Sequence, residues 1–279
     1  MEIKASDVKA LREKTGAGMM DCKKALQQAE GDFAKAEKVL KELGLAAAAK
    51  REGRATNEGR VFTCISGNRA AIVEISCETD FVARNDEFVK LGQSIAAEMA
   101  ETGNGIESFA NRVQDAVTTI KENMSVRRGE VLAAGNGEFF RDYMHGESGR
   151  IGVVVKVKTD PTELVNQDAV KEFAFDVALH VAAFRPGFLS AESVDSAYLA
   201  EQEEIFLAQA KKLDKPENVL QGIVKGKMKK HLSEICLLEQ GFVKDEKKTV
   251  AQAAAEVGKS AGGEVAVSGY VYYMVGQEA

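Results

Sequence analysis

The spacing of apolar residues changes between residues 70 and 99. From Ala70 to Cys77, apolar side chains alternate with small or polar ones, which is typical of a β-strand. From residue 88 onward the apolar residues lie three, four and four positions apart, which places them on one face of a helix: Phe88, Leu91, Ile95 and Met99. A strand that is soon followed by an amphipathic helix predicts a sheet with that helix packed against it.

The same order of elements occurs twice. Two strands are predicted at Val61–Ser66 and Ala70–Cys77, around a turn at Gly67-Asn68, and the helix from Phe88 follows them. Two more are predicted at Phe139–Met144 and Ile151–Lys158, ahead of a helix over about 168–184 whose apolar stripe is Val170, Phe173, Val177 and Val181. The pattern also predicts a helix over 106–124, a short strand over 125–132 and a last strand over 264–275. The two segments share the same pattern of elements but have little sequence identity, which indicates a duplicated unit.

Residues 1–54 are predicted to form a small bundle of three short helices. Ser6 is a candidate N-cap of the first helix, and Gly16-Ala17-Gly18 separates it from the second. Asp32 is a candidate cap of the third, which is predicted to end at Gly44. The residues expected to face inward are Val8, Leu11, Cys22, Ala25, Leu26, Ala29, Phe33, Ala36, Leu40 and Leu43. Such a bundle is too small to enclose an active site, so it is expected to bind a partner.

A pair of charged helices is predicted near the carboxyl end. The first covers 191–213, with Val194, Tyr198, Ile205 and Ala208 as its apolar seam. After a turn at 214–216, the second covers 219–235, with its own seam of Leu220, Ile223, Val224, Met228 and Leu232. Two helices with narrow seams and a tight turn predict an antiparallel hairpin that projects from the body. A further helix is predicted from Thr249 to about Val257.

These elements predict an α+β protein. A UBA-like three-helix bundle and its linker occupy residues 1–54, and a duplicated core of antiparallel sheet plus helix follows. The predicted boundaries of the two core subdomains are 55–138 and 139–279, with the hairpin inserted at about 191–236.

Phe81 belongs to neither apolar pattern. It lies where the strand has ended and the helix has not begun, between Asp80 and Val82. A large aromatic at such a position commonly folds back into the core. The alternative is that the turn presents Phe81 to a groove on a partner protein, as aromatic anchors at interfaces do.

Charge and cysteine content exclude several classes of function. The net charge of −6 over 279 residues argues against direct nucleic-acid binding, which needs a basic surface. The charge is uneven, because residues 1–54 hold 12 Lys and Arg against 9 Asp and Glu. No apolar signal core or run of eighteen apolar residues occurs, so we expect a cytoplasmic protein that does not contact membranes. The 4 cysteines are scattered and form no Cys-x-x-Cys pair, so neither disulfides nor a metal site is predicted.

No motif for catalysis or nucleotide binding is found. Gly222 to Met228 has three residues between its glycines where a phosphate-binding loop needs four, and Met228 replaces the magnesium-binding Ser or Thr. The 3 histidines have no spacing that suggests a metal cluster or a catalytic triad. The chain is therefore predicted not to be an enzyme and to need no cofactor.

Two long motifs carry a resemblance to a known family. Residues 11–26, Leu-Arg-Glu-Lys-Thr-Gly-Ala-Gly-Met-Met-Asp-Cys-Lys-Lys-Ala-Leu, and residues 79–83, Thr-Asp-Phe-Val-Ala, closely resemble the two signatures of elongation factor Ts. The likeness continues through residues 149–153, 180–183 and 228–230. It implies a guanine-nucleotide exchange factor that binds elongation factor Tu, the GTPase that delivers aminoacyl-tRNA in translation, and promotes GDP release by displacing its magnesium site.

The resemblance also implies the binding residues. Thr79, Asp80, Phe81 and Val82 would disturb the magnesium site, with Phe81 entering a pocket beside the switch region. Further contacts with elongation factor Tu would come from Met19, Met20, Lys23, Arg51 and His145. A homodimer or a 2:2 complex with the partner is compatible with the hairpin.

Two other classes of function remain open at this point. The helical bundle could be a binding module for a ubiquitin-like or nascent-chain partner, which would leave the duplicated core without a role. A hydrolase around His145 and Ser148 is the other alternative, although the sequence provides no group to orient a catalytic base.

Overall fold

The fold was analysed in a computed structural model that describes residues 3–49, 51, 53–213 and 215–277. Its helices and strands within these ranges are α1 Ala5–Thr15, α2 Met19–Gln28, α3 Phe33–Ala49, β1 Glu58–Ser66, β2 Arg69–Cys77, α4 Asp80–Ala83, α5 Asp86–Thr102, α6 Ala110–Ile120, β3 Met124–Ala133, β4 Glu138–His145, β5 Ile151–Asp160, α7 Asp168–Phe184, α8 Ser196–Lys211, α9 Glu217–Ile235, β6 Gly241–Phe242, β7 Asp245–Thr249, α10 Val250–Ala261 and β8 Glu264–Met274. Short 3-10 turns lie at Ile106–Phe109, Thr162–Asn166, Ala191–Ser193 and Leu237–Glu239.

Two antiparallel sheets form the body, and each has three strands. Their orders are β1-β2-β3 and β4-β5-β8. In each unit a hairpin leads through a short turn to a long helix, and a second helix then leads to the third strand, which pairs with the second strand of the hairpin. This arrangement confirms the predicted α+β class. The predicted strands are all present, although β1 begins at Glu58, three residues earlier than expected.

Each sheet has its own core under its helices. In the first unit Phe88, Ile95 and Met99 of α5 are fully buried against the sheet, as predicted. In the second unit the α7 stripe of Val170, Phe173, Val177 and Val181 is buried against β5 and β8. The spacing of three and four residues thus located both helix faces correctly.

The two sheets also pack on each other. Val61 and Ile72 of the first sheet and Val154 of the second belong to one buried apolar cluster. At its edge the fully buried Glu74 accepts a hydrogen bond from Nε of Arg128 at 2.8 Å and another from the backbone N–H of Gly276 at 2.9 Å. A buried carboxylate needs such partners to offset its desolvation. The two units therefore form one continuous body.

The amino-terminal helices form the predicted bundle with three corrections. Helix α1 begins at Ala5, so Ser6 lies within it and the predicted cap is wrong. Phe33 and Leu43, predicted to face inward, are 37% and 48% exposed. Helix α3 also continues past Gly44 to Ala49. The reason is a close helix contact: a Cβ on Gly44 would lie 2.9 Å from Cβ of Thr118 in α6, so this glycine permits packing instead of ending the helix.

Other predictions for the bundle hold. Val8, Leu11, Cys22, Ala25 and Leu26 are buried, and Oδ1 of Asp32 accepts a hydrogen bond from the backbone N–H of Lys35 at 3.0 Å, as a helix cap does. Residues 50 and 52 of the predicted linker lie outside the described residues.

Helices α8 and α9 form the predicted hairpin, but the predicted seam on α8 is correct only at its start. Val194 is buried, and the hydroxyl of Tyr198 lies 2.9 Å from Nε2 of His231 in α9. Ile205 is 41% exposed and Ala208 is also exposed, so these two predictions are wrong. Phe206 and Ala210 instead continue the face of Tyr198 and pack against Leu220 and Val224 of α9. The predicted turn includes residue 214, which lies outside the described residues.

The carboxyl-terminal segment completes the second sheet. Thr249 caps α10, because its hydroxyl accepts a hydrogen bond from the N–H of Gln252 at 3.2 Å while the Gln252 side chain bonds back to the Thr249 N–H at 2.9 Å. The short strands β6 and β7 were not predicted. Among the described residues, no helix is long and apolar enough to cross a membrane.

Candidate partner-binding site

The turn that joins β2 to α5 exposes Phe81. Strand β2 ends at Cys77, and residues 80–83 form the single helical turn α4 before α5 begins at Asp86. Phe81 is 83% exposed, which is the highest value among the large hydrophobic residues of the described ranges. An aromatic side chain is costly to leave in water, and burying one on a partner contributes about 1.5 to 3 kcal/mol. The expectation that Phe81 folds back into the core is therefore wrong, and the alternative of a presented side chain fits.

Backbone and side-chain contacts fix the conformation of this turn. The hydroxyl of Thr79 accepts a hydrogen bond from the N–H of Val82 at 3.3 Å, and the Thr79 carbonyl accepts one from the N–H of Ala83 at 3.2 Å. Val82 is half-buried against the first core and Ala83 is buried. Phe81 thus lies on an anchored turn instead of a loose loop.

A carboxylate from outside the turn holds Thr79 as well. Oε1 of Glu122 accepts a hydrogen bond from the Thr79 hydroxyl at 2.7 Å, and Oε2 accepts one from the Thr79 backbone N–H at 3.0 Å. Glu122 lies between α6 and β3, 43 residues further along the chain. Hydrogen bonds to a charged acceptor are stronger than neutral ones, so Glu122 is a principal support of the turn.

A second carboxylate, Glu78, is held just before the turn. The backbone N–H of Asn123 donates a hydrogen bond to Glu78 at 2.6 Å, and the guanidinium of Arg54 lies 3.2 Å from the same carboxylate. These donors, the Asn123 N–H first, lower the pKa of Glu78 below its ordinary value. By contrast, the Asp80 carboxylate lies at the surface, 3.3 Å from Arg84. Such an exposed pair contributes little to stability and leaves Asp80 available for a partner.

The thiol nearest the turn is not suited to catalysis. Burial, and then the charge of Glu122, raise the pKa of Cys77 to about 12. A thiol is a nucleophile only when it is deprotonated, so Cys77 is inert at neutral pH. No group of three or more candidate metal ligands occurs in the described parts of the chain.

Helix α2 presents a second exposed apolar group. Met19 and Met20, in its first turn, are 46% and 65% exposed, and Lys23 is exposed one turn further on. Methionine adapts its shape to irregular surfaces, so exposed methionines are typical of protein-binding sites. The glycine turn at residues 16–18 places this end of α2 at the surface.

The bundle lies against α6, the helix that ends directly before Lys121 and Glu122. Between the bundle and α6 there is a cavity of about 810 Å³ whose lining includes the half-buried Arg51. The ammonium group of Lys121, directly after α6, lies 3.2 Å from the carboxylate of Asp21 in α2. The next residue, Glu122, bonds Thr79, so neighbouring residues contact the bundle and the Phe81 turn.

His145 is not part of this group. It lies exposed at the end of β4 in the second sheet, where its Nδ1 is 3.0 Å from the hydroxyl of Tyr143. The stretch from Gly222 to Met228, which the sequence excluded as a phosphate loop, lies inside α9.

Sequence reasoning did not find Glu122 and Asn123. The predicted helix over 106–124 contained both residues, which is wrong because α6 ends at Ile120. Nothing local in the sequence connects them to positions 78 and 79. Only the pairing of β3 with β2, from Cys77↔Met124 onward, places the two segments side by side.

The site consists of exposed apolar side chains on anchored elements. Such surfaces are typical of the class of proteins that bind other proteins. Comparison with known proteins identifies the family. The family model described as Elongation factor TS matches residues 78–277.

Similar proteins cover almost the whole chain. Elongation factor Ts of Treponema denticola is 48% identical over 278 residues, covering 99% of both chains. Elongation factor Ts of Borrelia duttonii is 45% identical, covering 99% of this chain and 100% of the relative, and that of Borreliella burgdorferi is 44% identical, covering 98% and 99%. The chain belongs to the elongation factor Ts family and is a translation elongation factor.

Proposed function

We propose that this protein is a guanine-nucleotide exchange factor for elongation factor Tu, without an active site of its own. It binds the GDP complex, displaces the magnesium site, and releases GDP so that GTP can bind. The observation that carries this proposal is the 83% exposure of Phe81 on an anchored turn. In this proposal the protein acts in the cytoplasm and needs neither a cofactor nor contact with nucleic acid.

Exchange is a coupling between two ligands of one GTPase. A factor that binds the nucleotide-free GTPase more tightly than the GDP complex must weaken GDP binding by the same ratio. That coupling requires a group on the factor that is incompatible with the magnesium-holding conformation. Phe81 and Asp80 have the required exposure and side-chain chemistry. The Phe81 ring inserts between helices of the GTPase. The negative Asp80 carboxylate repels the negatively charged phosphate oxygens that bind magnesium.

The size of the effect limits what Phe81 does alone. Burying one Phe contributes about 1.5 to 3 kcal/mol, which corresponds to roughly a ten- to hundredfold change in affinity. The remaining coupling comes from lost magnesium contacts and from the rest of the interface. Met19, Met20 and Lys23 contact the nucleotide-binding domain, Arg51 assists them, and His145 contacts another domain.

The test is the release of a fluorescent GDP analogue from purified elongation factor Tu at fixed magnesium concentration. Substoichiometric wild-type protein is expected to accelerate release, because one molecule acts on many GTPases in turn. Phe184→Ala is the matched control, since Phe184 is also an exposed phenylalanine, at 49%, but lies at the end of α7 in the second unit. It is expected to exchange like the wild type. A folded wild-type protein that leaves the release rate unchanged would overturn the proposed function.

His145 has a separate test. His145→Ala is expected to weaken binding of elongation factor Tu while the protein remains folded. Binding measured by titration calorimetry at the wild-type affinity would remove His145 from the interface.

A further inference from the structure

Three consecutive residues between α6 and β3 contact three different segments of the chain. Lys121 pairs with Asp21 of the bundle at 3.2 Å. Glu122 accepts two hydrogen bonds from Thr79, at 2.7 Å and 3.0 Å. The Asn123 side chain donates a hydrogen bond to the Arg54 carbonyl at 2.8 Å, and its backbone N–H bonds Glu78. We refer to residues 121–123 as the α6–β3 link.

The backbone explains how neighbouring residues reach separate segments. Lys121 has a φ of 67°, in the left-handed region, and its N–H closes α6 by bonding the Val117 carbonyl at 3.0 Å. Few residues other than glycine adopt this conformation, which costs of order 1 kcal/mol or more. The chain therefore turns sharply here, and the side chains of Lys121 and Glu122 leave it toward different elements.

Among the described contacts of the Glu122 side chain, both hydrogen bonds to the turn come from Thr79. Its hydroxyl has two roles, since it donates to Glu122 and accepts from the Val82 N–H. The Glu122 carboxylate thereby orients the hydroxyl whose lone pair caps α4. Without Glu122 the hydroxyl can rotate, and the turn loses both an anchor and a fixed cap.

We propose that Glu122 is a positioning residue for Phe81. It acts through Thr79 and fixes the α4 turn to α6, the helix against which the bundle also packs. The inference rests on the proposed function, because the benefit of a fixed Phe81 is the geometry with which it enters the GTPase. Glu122 itself need not touch the partner.

Steady-state exchange kinetics distinguish positioning from folding stability. Glu122→Ala is expected to lower the maximal rate of GDP release about tenfold, the size expected for loss of a hydrogen-bonded charge. The protein concentration at half-maximal rate should stay within about twofold, because the other contacts keep the interface. Partial unfolding gives the opposite result, a higher half-maximal concentration at unchanged maximal rate. Glu122→Gln, which keeps one acceptor, is expected to fall between Glu122→Ala and the wild type.

Two further variants complete the kinetic test. Glu122→Ala added to Thr79→Ala is expected to cause little further loss, because both changes break the same contact. Glu98→Ala is the matched control, since Glu98 forms an ion pair with Arg112 at 2.7 Å on the same unit without contacting the turn. Full additivity of Glu122→Ala and Thr79→Ala, or an equal rate loss in Glu98→Ala, would overturn the inference.

Amide hydrogen exchange on the protein alone gives a test that does not depend on the GTPase. In Glu122→Ala the amides of Thr79 and Val82 are expected to exchange at least tenfold faster, while those of Ala96 and Met99 in α5 keep their protection. Unchanged Thr79 and Val82 amides would overturn the inference. If these amides respond but the wild type releases no GDP, the proposed function fails while the structural role of Glu122 in the turn is supported.

Discussion

The turns after the middle strands of the two units differ in what they do with an apolar side chain. In the first unit, the turn between β2 and α5 exposes Phe81 at 83%. In the second, the corresponding turn between β5 and α7 contains the 3-10 segment Thr162–Asn166 and buries Leu164, which is only 4% exposed. The surrounding architecture is the same, so the fold does not require an exposed aromatic at this point.

The connections into the third strands explain the difference. In the second unit Gly262 and Gly263 join α10 to β8, and a Cβ on Gly263 would lie 2.9 Å from Cδ1 of Leu164. This connection therefore packs directly on Leu164. In the first unit the α6–β3 link takes the same place, and Glu122 bonds the start of the turn instead of covering it. Lys121 and Gly262 even share a left-handed backbone, with φ of 67° and 90°. One unit uses the connection to close its core, and the other uses it to support a presented side chain.

The largest effect on stability is expected in the second unit. Leu164→Ala removes a buried side chain from the core and should lower the free energy of unfolding by about 2 to 5 kcal/mol. Chemical denaturation measures this change, and exchange activity per folded molecule should stay at the wild-type value. A loss below about 0.5 kcal/mol, the range of ordinary surface changes, would mean that the second turn is not a core element and would break the comparison.

A second test concerns the close approach of the connection. Gly263→Ala would place a Cβ 2.2 Å from the Asp160 carbonyl oxygen, so it should destabilise the protein by about 1 to 3 kcal/mol through overpacking. The control is Gly222→Ala in α9, where a Cβ meets nothing within 4 Å. Alanine is the better helix former, so this change should stabilise by about 0.5 to 1 kcal/mol. Equal thermal shifts for the two variants would contradict the account.

A smaller effect is expected at the cap of the first turn. Thr79→Ala loses the hydroxyl that caps α4, and such a loss costs about 1 kcal/mol. Thr79→Ser keeps the hydroxyl and should retain most of the stability and of the exchange rate. Both are measured by thermal unfolding and by GDP release. If Ser behaves like Ala, the hydroxyl contacts do not support the turn.

The smallest effect on stability is expected at Phe81 itself. Its side chain is 83% exposed, so Phe81→Ala should change the free energy of unfolding by less than about 0.5 kcal/mol. That result would leave a single contrast between Leu164, a stability residue, and Phe81, the proposed binding residue. A destabilisation by Phe81→Ala as large as that by Leu164→Ala would remove the contrast.

Much of this fold could be predicted from the sequence, because periodicity reports burial directly. The stripes at Phe88–Met99 and Val170–Val181 were located to the correct face, and both hairpins were found. The errors arose where the signal is not local. A glycine such as Gly44 commonly ends a helix, but here the helix continues past it because the glycine allows close packing against Thr118. The α8 seam was correct at Val194 and Tyr198 but wrong at Ile205 and Ala208, because contact with α9 selects Phe206 and Ala210 instead.

The candidate site was predictable only in part. Phe81 stood out because it fits neither the strand nor the helix periodicity. Its exposure could not be decided from the sequence, since an aromatic residue in a connection can either fold into the core or face a partner. Glu122 could not be found, because its role depends on the β2–β3 register across 43 residues. The resemblance to elongation factor Ts named the residues for the interface, and the structure adds how the turn that carries Phe81 is held.

The most direct test of the central claim compares GDP release by the wild type and by Phe81→Ala. With both proteins equally folded, Phe81→Ala should release a fluorescent GDP analogue from elongation factor Tu roughly ten- to a hundredfold more slowly, as the loss of one buried aromatic contact predicts. It should still bind the GTPase through its other contacts. Release by Phe81→Ala at the wild-type rate would contradict the claim that the first unit presents Phe81 for exchange.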